Sequence, residues 1–372
     1  MQEMVFNSRS VALGMVLLCL LIVQFYIWTK DVERRACLWF AAFVAGLSIS
    51  TIPMIIGFAG AYQIWPGLTF LPTDLALWLG PFLSFHSRRL MDGPVPAGQI
   101  WLLAPGAIYW LYQFWAFTTL GDYRTKWAFN NAFHEPFIVP LVSVTGIALS
   151  AWSLWAVWRT YREYKAWLDA NRSDGDVFEP IWIKHFLVLG AGAAGVWAVE
   201  TVIYLLFGLS YFASFWWDLG VLVIVLFLAL EALARLNEPY PKMRAPDAVS
   251  VEDLVETVNS VRDWTLEGER LRDQVVSNGW HLESSLTLQT LSRRFGMNQA
   301  YVSRALNQGL DLSFSQFTNG LRIENAKAVM MRENVNLLDV ALSSGFGSKA
   351  SFNRAFKAQT GSTPTDYRRL NS

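Results

Sequence analysis

Two groups of side chains, fifty residues apart, have the types and spacing to touch the edges of nucleic-acid bases. The first is Gln299, Ala300, Ser303, Arg304 and Asn307; the second is Lys349, Ala350, Asn353, Arg354 and Lys357. In each group the steps place all five side chains on one face of a helix. An arginine can donate two parallel hydrogen bonds to guanine O6 and N7, and Asn or Gln can pair in a similar two-point way with adenine. Lys349 and Lys357 suit phosphate, which sets register but carries no sequence information. The alanines are either spacers or contacts for a thymine methyl. Arg304 and Arg354 can also serve as ion-pair partners within the protein, and Arg293, Arg294, Arg322, Arg368 and Arg369 read equally as solvated charges or phosphate contacts.

The elements that must hold these faces are repeated. Leu286–Asn307 reads LTLQTLSRRFGMNQAYVSRALN and Asn336–Lys357 reads NLLDVALSSGFGSKASFNRAFK. Each copy is a short apolar-periodic helix, a glycine-containing turn and a second helix, the plan of a helix-turn-helix DNA reader. Asn298 and Ser348 stand where an N-cap belongs. Val340, Ala341, Phe346, Phe352 and Phe356 suffice for a small core in the second copy. A joining helix over 313–332 is about 30 Å long at 1.5 Å per residue. That suits two reading helices set about one duplex turn, ~34 Å, apart.

Residues 279–369 resemble the C-terminal DNA-binding domain of the AraC/XylS family of bacterial transcription regulators. The likeness is carried by GFGSKASFNRAFKAQTGSTPTDYR (Gly345–Arg368), by LTLQTLSRRFGMNQAYVSRALN, and by FSQFTNGLRIENAKAVMM (Phe314–Met331) between them. A weaker likeness, LGPFLSFHSRRL (Leu79–Leu90), points to membrane-embedded members of that family. The resemblance implies promoter DNA as a partner, and RNA polymerase as another if the protein activates.

The rest of the chain is of a different kind. Of 372 residues, 53% are hydrophobic and only 16% charged, against about 25% charged in soluble domains. The long apolar runs all precede residue 236. Seven stretches approach the ~20 apolar residues that cross a bilayer: 9–29, 36–57, 67–87, 99–120, 136–158, 183–209 and 213–235. The third is interrupted by Pro66, Pro72 and Asp74. The loops after the first, third and fifth carry ten Lys and Arg, the opposite side three. The positive-inside rule then puts the N-terminus outside and the C-terminus in the cytoplasm of a bacterial inner membrane. DNA is in that compartment. The net charge of zero conceals an uneven split: residues 279–372 hold eleven bases against six acids, and 236–278 five against nine. A basic terminal domain suits a phosphate-rich partner.

The fold class expected is therefore all-α: a seven-span transmembrane bundle (1–235), a linker with an amphipathic helix (236–278), and a cytoplasmic double helix-turn-helix domain (279–372). The stretch 250–277 reads either as a homodimer contact or as a helix packed on the DNA-binding domain. Within the spans, Asp74, Glu200 and Asp218 are carboxylates of the outer half. With His134, Glu135 and several Trp they sketch a pocket for a cationic or amphipathic small molecule. Helix–helix hydrogen bonding explains the same acids equally well. No cofactor is implied: two cysteines, Cys19 and Cys37, lack metal spacing, and the four His (His86 and His185 near cytoplasmic span ends) lack a haem attachment motif. No nucleophile–base set or phosphate loop is present, so the chain reads as no enzyme. The readings in play are a signal-sensing regulator, a regulator whose spans only anchor it until a partner protein or proteolysis acts, and, third, a membrane enzyme or transporter fused to a DNA reader.

Overall fold

The computed structural model describes residues 6–29, 34–207, 215–234, 240–243, 263–330 and 336–371. All regular elements among them are helical. The chain divides into two compact units: Met1–Tyr161 with Pro180–Lys242, and Arg162–Glu179 with Met243–Ser372.

The first unit is built from α1 (Ser8–Thr29), α2 (Arg34–Phe58), α3 (Ala76–Met91), α4 (Ala104–Thr119), most of α5 (Val139–Asn171), α6 (Ile181–Phe207) and α7 (Phe215–Ala234). α1 packs on α2 and α7, α2 on α3, and α6 on α7. Leu13, Leu20, Val44, Phe85, Ile183 and Leu222 are buried between them. The outer surfaces of these helices carry large apolar side chains. Phe25, Val188 and Phe207 are 73%, 73% and 80% exposed, a perimeter that water does not stabilise.

Five helical stretches are long and apolar enough to cross a membrane: Ser8–Thr29, Leu38–Phe58, Tyr123–Asn171, Ile181–Phe207 and Phe215–Ala234. The expected third and fourth spans are shorter than their apolar runs. α3 and α4 have 16 residues each, about 24 Å against a hydrocarbon core of about 30 Å. The third begins at Ala76 because Asp74 ends the preceding irregular segment. Its Oδ1 accepts the Ala76 N–H at 3.0 Å, and the Gln113 amide pairs with both backbone groups of Asp74. The fourth begins with a 3-10 stretch, Ala97–Leu103, before the α-helix sets in. The fifth is longer than the expected 136–158: its helix runs on to Asn171, and its last turns from Arg162 belong to the second unit.

The second unit holds α8 (Trp264–Ser277), α9 (Leu288–Phe295), α10 (Gln299–Arg304), α11 (Phe314–Met330), α12 (Leu337–Ser343), α13 (Lys349–Thr360) and α14 (Pro364–Asn371). It has two small cores, one for each helix-turn-helix. The first gathers Leu271, Val275, Leu288, Leu291, Val302, Leu306 and Phe317. The second contains the five residues expected of it, Val340, Ala341, Phe346, Phe352 and Phe356, with Ile323, Ala326 and Met330 of the joining helix α11. One face of α11 thus feeds each core, and the two copies are set by a single helix. Leu271 and Val275 of α8 belong to the first core, so this part of 250–277 packs on the DNA-reading domain. The remainder, 250–262, lies outside the described residues.

Candidate nucleic-acid interface

Both reading helices start as their sequences require. Asn298 Oδ1 accepts the Tyr301 N–H at 2.7 Å, and Ser348 Oγ accepts the Ser351 N–H at 3.1 Å. Each cap satisfies a donor that the first helical turn leaves without a carbonyl partner. The first helices of the two helix-turn-helix copies are capped in the same way by Thr287 and Asn336. The turns use glycine for a physical reason. Gly296 has φ 66° and Gly345 φ 87°, backbone that side-chain-bearing residues rarely adopt. At Gly345 a Cβ would also meet the Leu282 carbonyl at 2.7 Å.

The two candidate faces are not equally open. Lys349, Ala350, Asn353, Arg354 and Lys357 are all exposed on α13. On the first helix-turn-helix copy, Gln299, Ala300, Ser303 and Arg304 are half-buried and Asn307 is exposed. Asn307 lies beyond α10, in the wider turn Ala305–Gly309, and donates to Ser303 Oγ at 3.2 Å. Trp264 of α8 packs its ring against Tyr301 at 5.4 Å between centroids, so α8 crowds the base of α10.

The other arginines part company. Arg294 makes a two-point pair with Glu283, both contacts 2.8 Å, and covers the Trp280 ring; this carboxylate raises the Arg294 pKa. Arg322 is neither solvated nor aimed at phosphate: it is 1% exposed. Its Nε donates to His281 O at 2.7 Å, its Nη1 to Asn319 Oδ1 and Ser173 O, and its Nη2 to Glu283 O and Ser173 Oγ. All five N–H groups of the guanidinium are thereby used. Burial pulls its pKa down to about 10, still far above neutrality, so the group stays charged.

Ser173 belongs to the segment between the fifth and sixth apolar stretches. In the second unit it is a fixed part. Arg172 pairs with Thr287 as an isolated antiparallel bridge. Ser173 N and Oγ both donate to Leu286 O, at 3.2 and 2.7 Å. Arg172 closes on Asp174 with contacts of 2.8 and 2.9 Å. Three residues from Ser173, Asp176 Oδ2 accepts from Arg354 Nε at 3.2 Å. A candidate base-reading arginine therefore has a protein carboxylate as its partner. No periodicity could have announced this, because Asp176 and Arg354 are 178 residues apart.

The candidate signal residues lie in the first unit. Asp74 is held by Gln113 of α4 through both of its backbone groups, and on the same helix Tyr112 Oη lies 2.9 Å from His134 Nδ1. The Tyr112 and His134 rings stack at 5.7 Å. Glu135 accepts from Tyr204 of α6 at 3.1 Å. Asp74 and His134 are thus linked through α4, and Glu135 is tied to α6. Glu200 and Asp218 are half-buried on α6 and α7. His185 pairs with Glu231 at 2.8 Å, and His86 is buried against the rings of Phe40 and Trp182. Among the described residues no group of three or more His, Cys, Asp and Glu gathers as a metal site would.

This architecture, two capped helix-turn-helix units on one joining helix, defines the C-terminal part as a double helix-turn-helix domain. Comparison with known proteins agrees. A family described as a helix-turn-helix domain matches residues 291–370. An uncharacterized HTH-type transcriptional regulator of Staphylococcus aureus is 38% identical over 88 residues, which are 24% of this chain and 12% of that protein. The uncharacterized HTH-type transcriptional regulator YtdP of Bacillus subtilis is 27% identical over 119 residues, 32% of this chain and 15% of that protein. The chain therefore spans about an eighth of the length of such relatives. No solved structure matches it.

Proposed function

We propose that the protein is a membrane-bound transcription regulator of the AraC type. Its second unit binds promoter DNA from the cytoplasm, and its helical first unit responds to a small molecule or to the state of the membrane. The observation that carries the DNA part is the open face of α13. There Lys349, Asn353, Arg354 and Lys357 stand exposed beside a core that fully absorbs the helix's apolar side. That is a cationic, hydrogen-bonding ridge of the width a major groove admits. The half-buried face of α10 calls for a duplex that bends to reach it or for movement of α8.

Membrane residence is supported by five apolar helices of spanning length and by the loop-charge asymmetry. Whether α3 and α4 cross or only dip, they form a pair. The parity that puts the C-terminus in the cytoplasm is the same for five spans as for seven. The residues Asp74, His134, Glu135, Glu200 and Asp218 are the proposed signal site, with Tyr112, Gln113 and Tyr204 added by the contacts above. A homodimer, and RNA polymerase for an activator, remain further proposed partners.

Genome-wide mapping of DNA bound by the intact protein tests this reading. Discrete promoter-proximal sites, lost on replacing Lys349 and Asn353 together by Ala, are the expected result. Occupancy indifferent to that double substitution would remove α13 as the reader. For the signal site, thermal-shift measurements in lipid nanodiscs with small cationic amphiphiles should give a stabilisation that Asp74→Asn abolishes.

A further inference from the structure

We infer that the segment 172–176 is a built-in competitor for DNA: docked across both helix-turn-helix units, it offers the Asp176 carboxylate to the Arg354 guanidinium that would otherwise meet the duplex. The inference rests on the reading of the second unit as a DNA binder.

The docking is specific. Ser173 is 5% exposed and is held by two neighbours from different parts of the domain, while Arg172 before it is held by a third. Leu286, just ahead of α9, accepts its N–H and its hydroxyl. Arg322, from the joining helix, donates to its hydroxyl and its carbonyl. Arg172 bridges to Thr287, the cap of α9. The Asp176–Arg354 contact then reaches the second copy. One short segment touches the first helix-turn-helix copy, the joining helix and the second copy, which are the three parts whose arrangement sets the spacing of the reading helices.

The competition follows from charge. Arg354 can satisfy a carboxylate or a base edge and phosphate, and a duplex brings a dense row of phosphates towards Asp176. Like charges in that gap oppose each other, so DNA engagement by Arg354 and the Asp176 pair exclude one another. Both partners of the pair are about half exposed. In that setting an ion pair contributes little to stability, so its removal should leave the fold intact while freeing the arginine. Lys349 and Lys357, which suit phosphates, are exposed as well. The docked state therefore masks a sequence-reading side chain and leaves the non-specific grip in place.

The segment also has the right place in the chain. It connects α5 to α6, two of the apolar helices. A signal that favours one arrangement of those helices over another can bias docking against release, and DNA binding must bias it in the opposite sense.

The test uses the full chain in lipid nanodiscs. A duplex enriched from a random pool by the unaltered protein serves as the specific probe, and the mixed starting pool as the non-specific one. Asp176→Ala and Asp176→Asn should bind the selected duplex roughly two- to fivefold more tightly, the range expected from freeing one exposed pair. Their affinity for the mixed pool should rise by less, since removing the carboxylate eases the approach of any duplex but frees no base contact there, and thermal melting should match the unaltered protein. An affinity for the selected duplex that is unchanged or weaker overturns the inference. If the protein enriches no sequence and neither it nor the variants bind any duplex, the DNA-binding reading falls first and the inference with it.

Discussion

Ser173 Oγ accepts a hydrogen bond from Arg322 Nη2 at 3.0 Å across 149 residues of sequence, and donates its own proton to Leu286 O at 2.7 Å. Arg322 is thereby the fastener of the second unit. It joins the 281–283 turn, the 172–174 segment and α11 through backbone carbonyls, a hydroxyl and an amide oxygen.

Replacing Arg322 should be costly. Arg322→Ala leaves the carbonyls of His281 and Glu283 and the Ser173 hydroxyl buried without their donor, a loss of about 3–5 kcal/mol. Arg322→Lys keeps the charge but not the planar fork, and should recover only part of it. Amide hydrogen exchange by mass spectrometry checks the mechanism. Protection should fall together in 172–176 and 281–286, and loss in one segment alone would contradict the shared fastener.

Gly345 and Gly347 make an internal control two residues apart. Gly345→Ala puts a Cβ on a backbone with φ 87°, 2.7 Å from the Leu282 carbonyl. It should lower stability by about 2–4 kcal/mol. Gly347 has nothing within 4 Å of a built Cβ, and Gly347→Ala should be near neutral. Chemical denaturation of both variants decides it. Equal midpoints would mean that the turn relaxes freely.

The second unit should weaken in mild acid. Burial lowers the His281 pKa from 6.5, and the neighbouring Arg322 charge pushes the same way. A group with a depressed folded-state pKa contributes stability that is present above its unfolded value and lost as pH falls through the folded one. The window therefore lies below pH 6.5. His281→Gln should flatten the dependence of melting temperature on pH from about 7 downwards. A parallel acid slope in both proteins would assign the loss to other groups.

The α13 face should separate grip from reading. Lys349→Ala should weaken binding to all sequences alike and reduce the salt slope by about one unit. Asn353→Ala should cost about 1–3 kcal/mol on the selected site and relax preference at one base position. Binding titrations over a range of salt on specific and mixed duplexes distinguish the two. Identical effects from both substitutions would mean that α13 touches only phosphates.

Much of this was legible in the residues because it is local. The caps at Asn298 and Ser348, the turns at Gly296 and Gly345 and the core of Val340, Ala341, Phe346, Phe352 and Phe356 all follow from what lies within a few positions along the chain. Apolar runs before residue 236 were equally plain. Their true lengths were not, because α3 begins where Asp74 is clamped by Gln113 of another helix. A helical period states which face is apolar and says nothing of what covers it; the first core covers Leu271 and Val275 of 250–277. The long-range partners were beyond any spacing argument. Arg322 read as a solvated charge or a phosphate contact and is buried, bonded to carbonyls and a hydroxyl of distant segments. Arg354 read as a base contact or as an ion-pair partner within the protein, and its carboxylate partner, Asp176, lies 178 residues away. Local backbone preferences wrote the elements and their faces into the chain; desolvation and charge pairing between distant segments decided which of those faces are open.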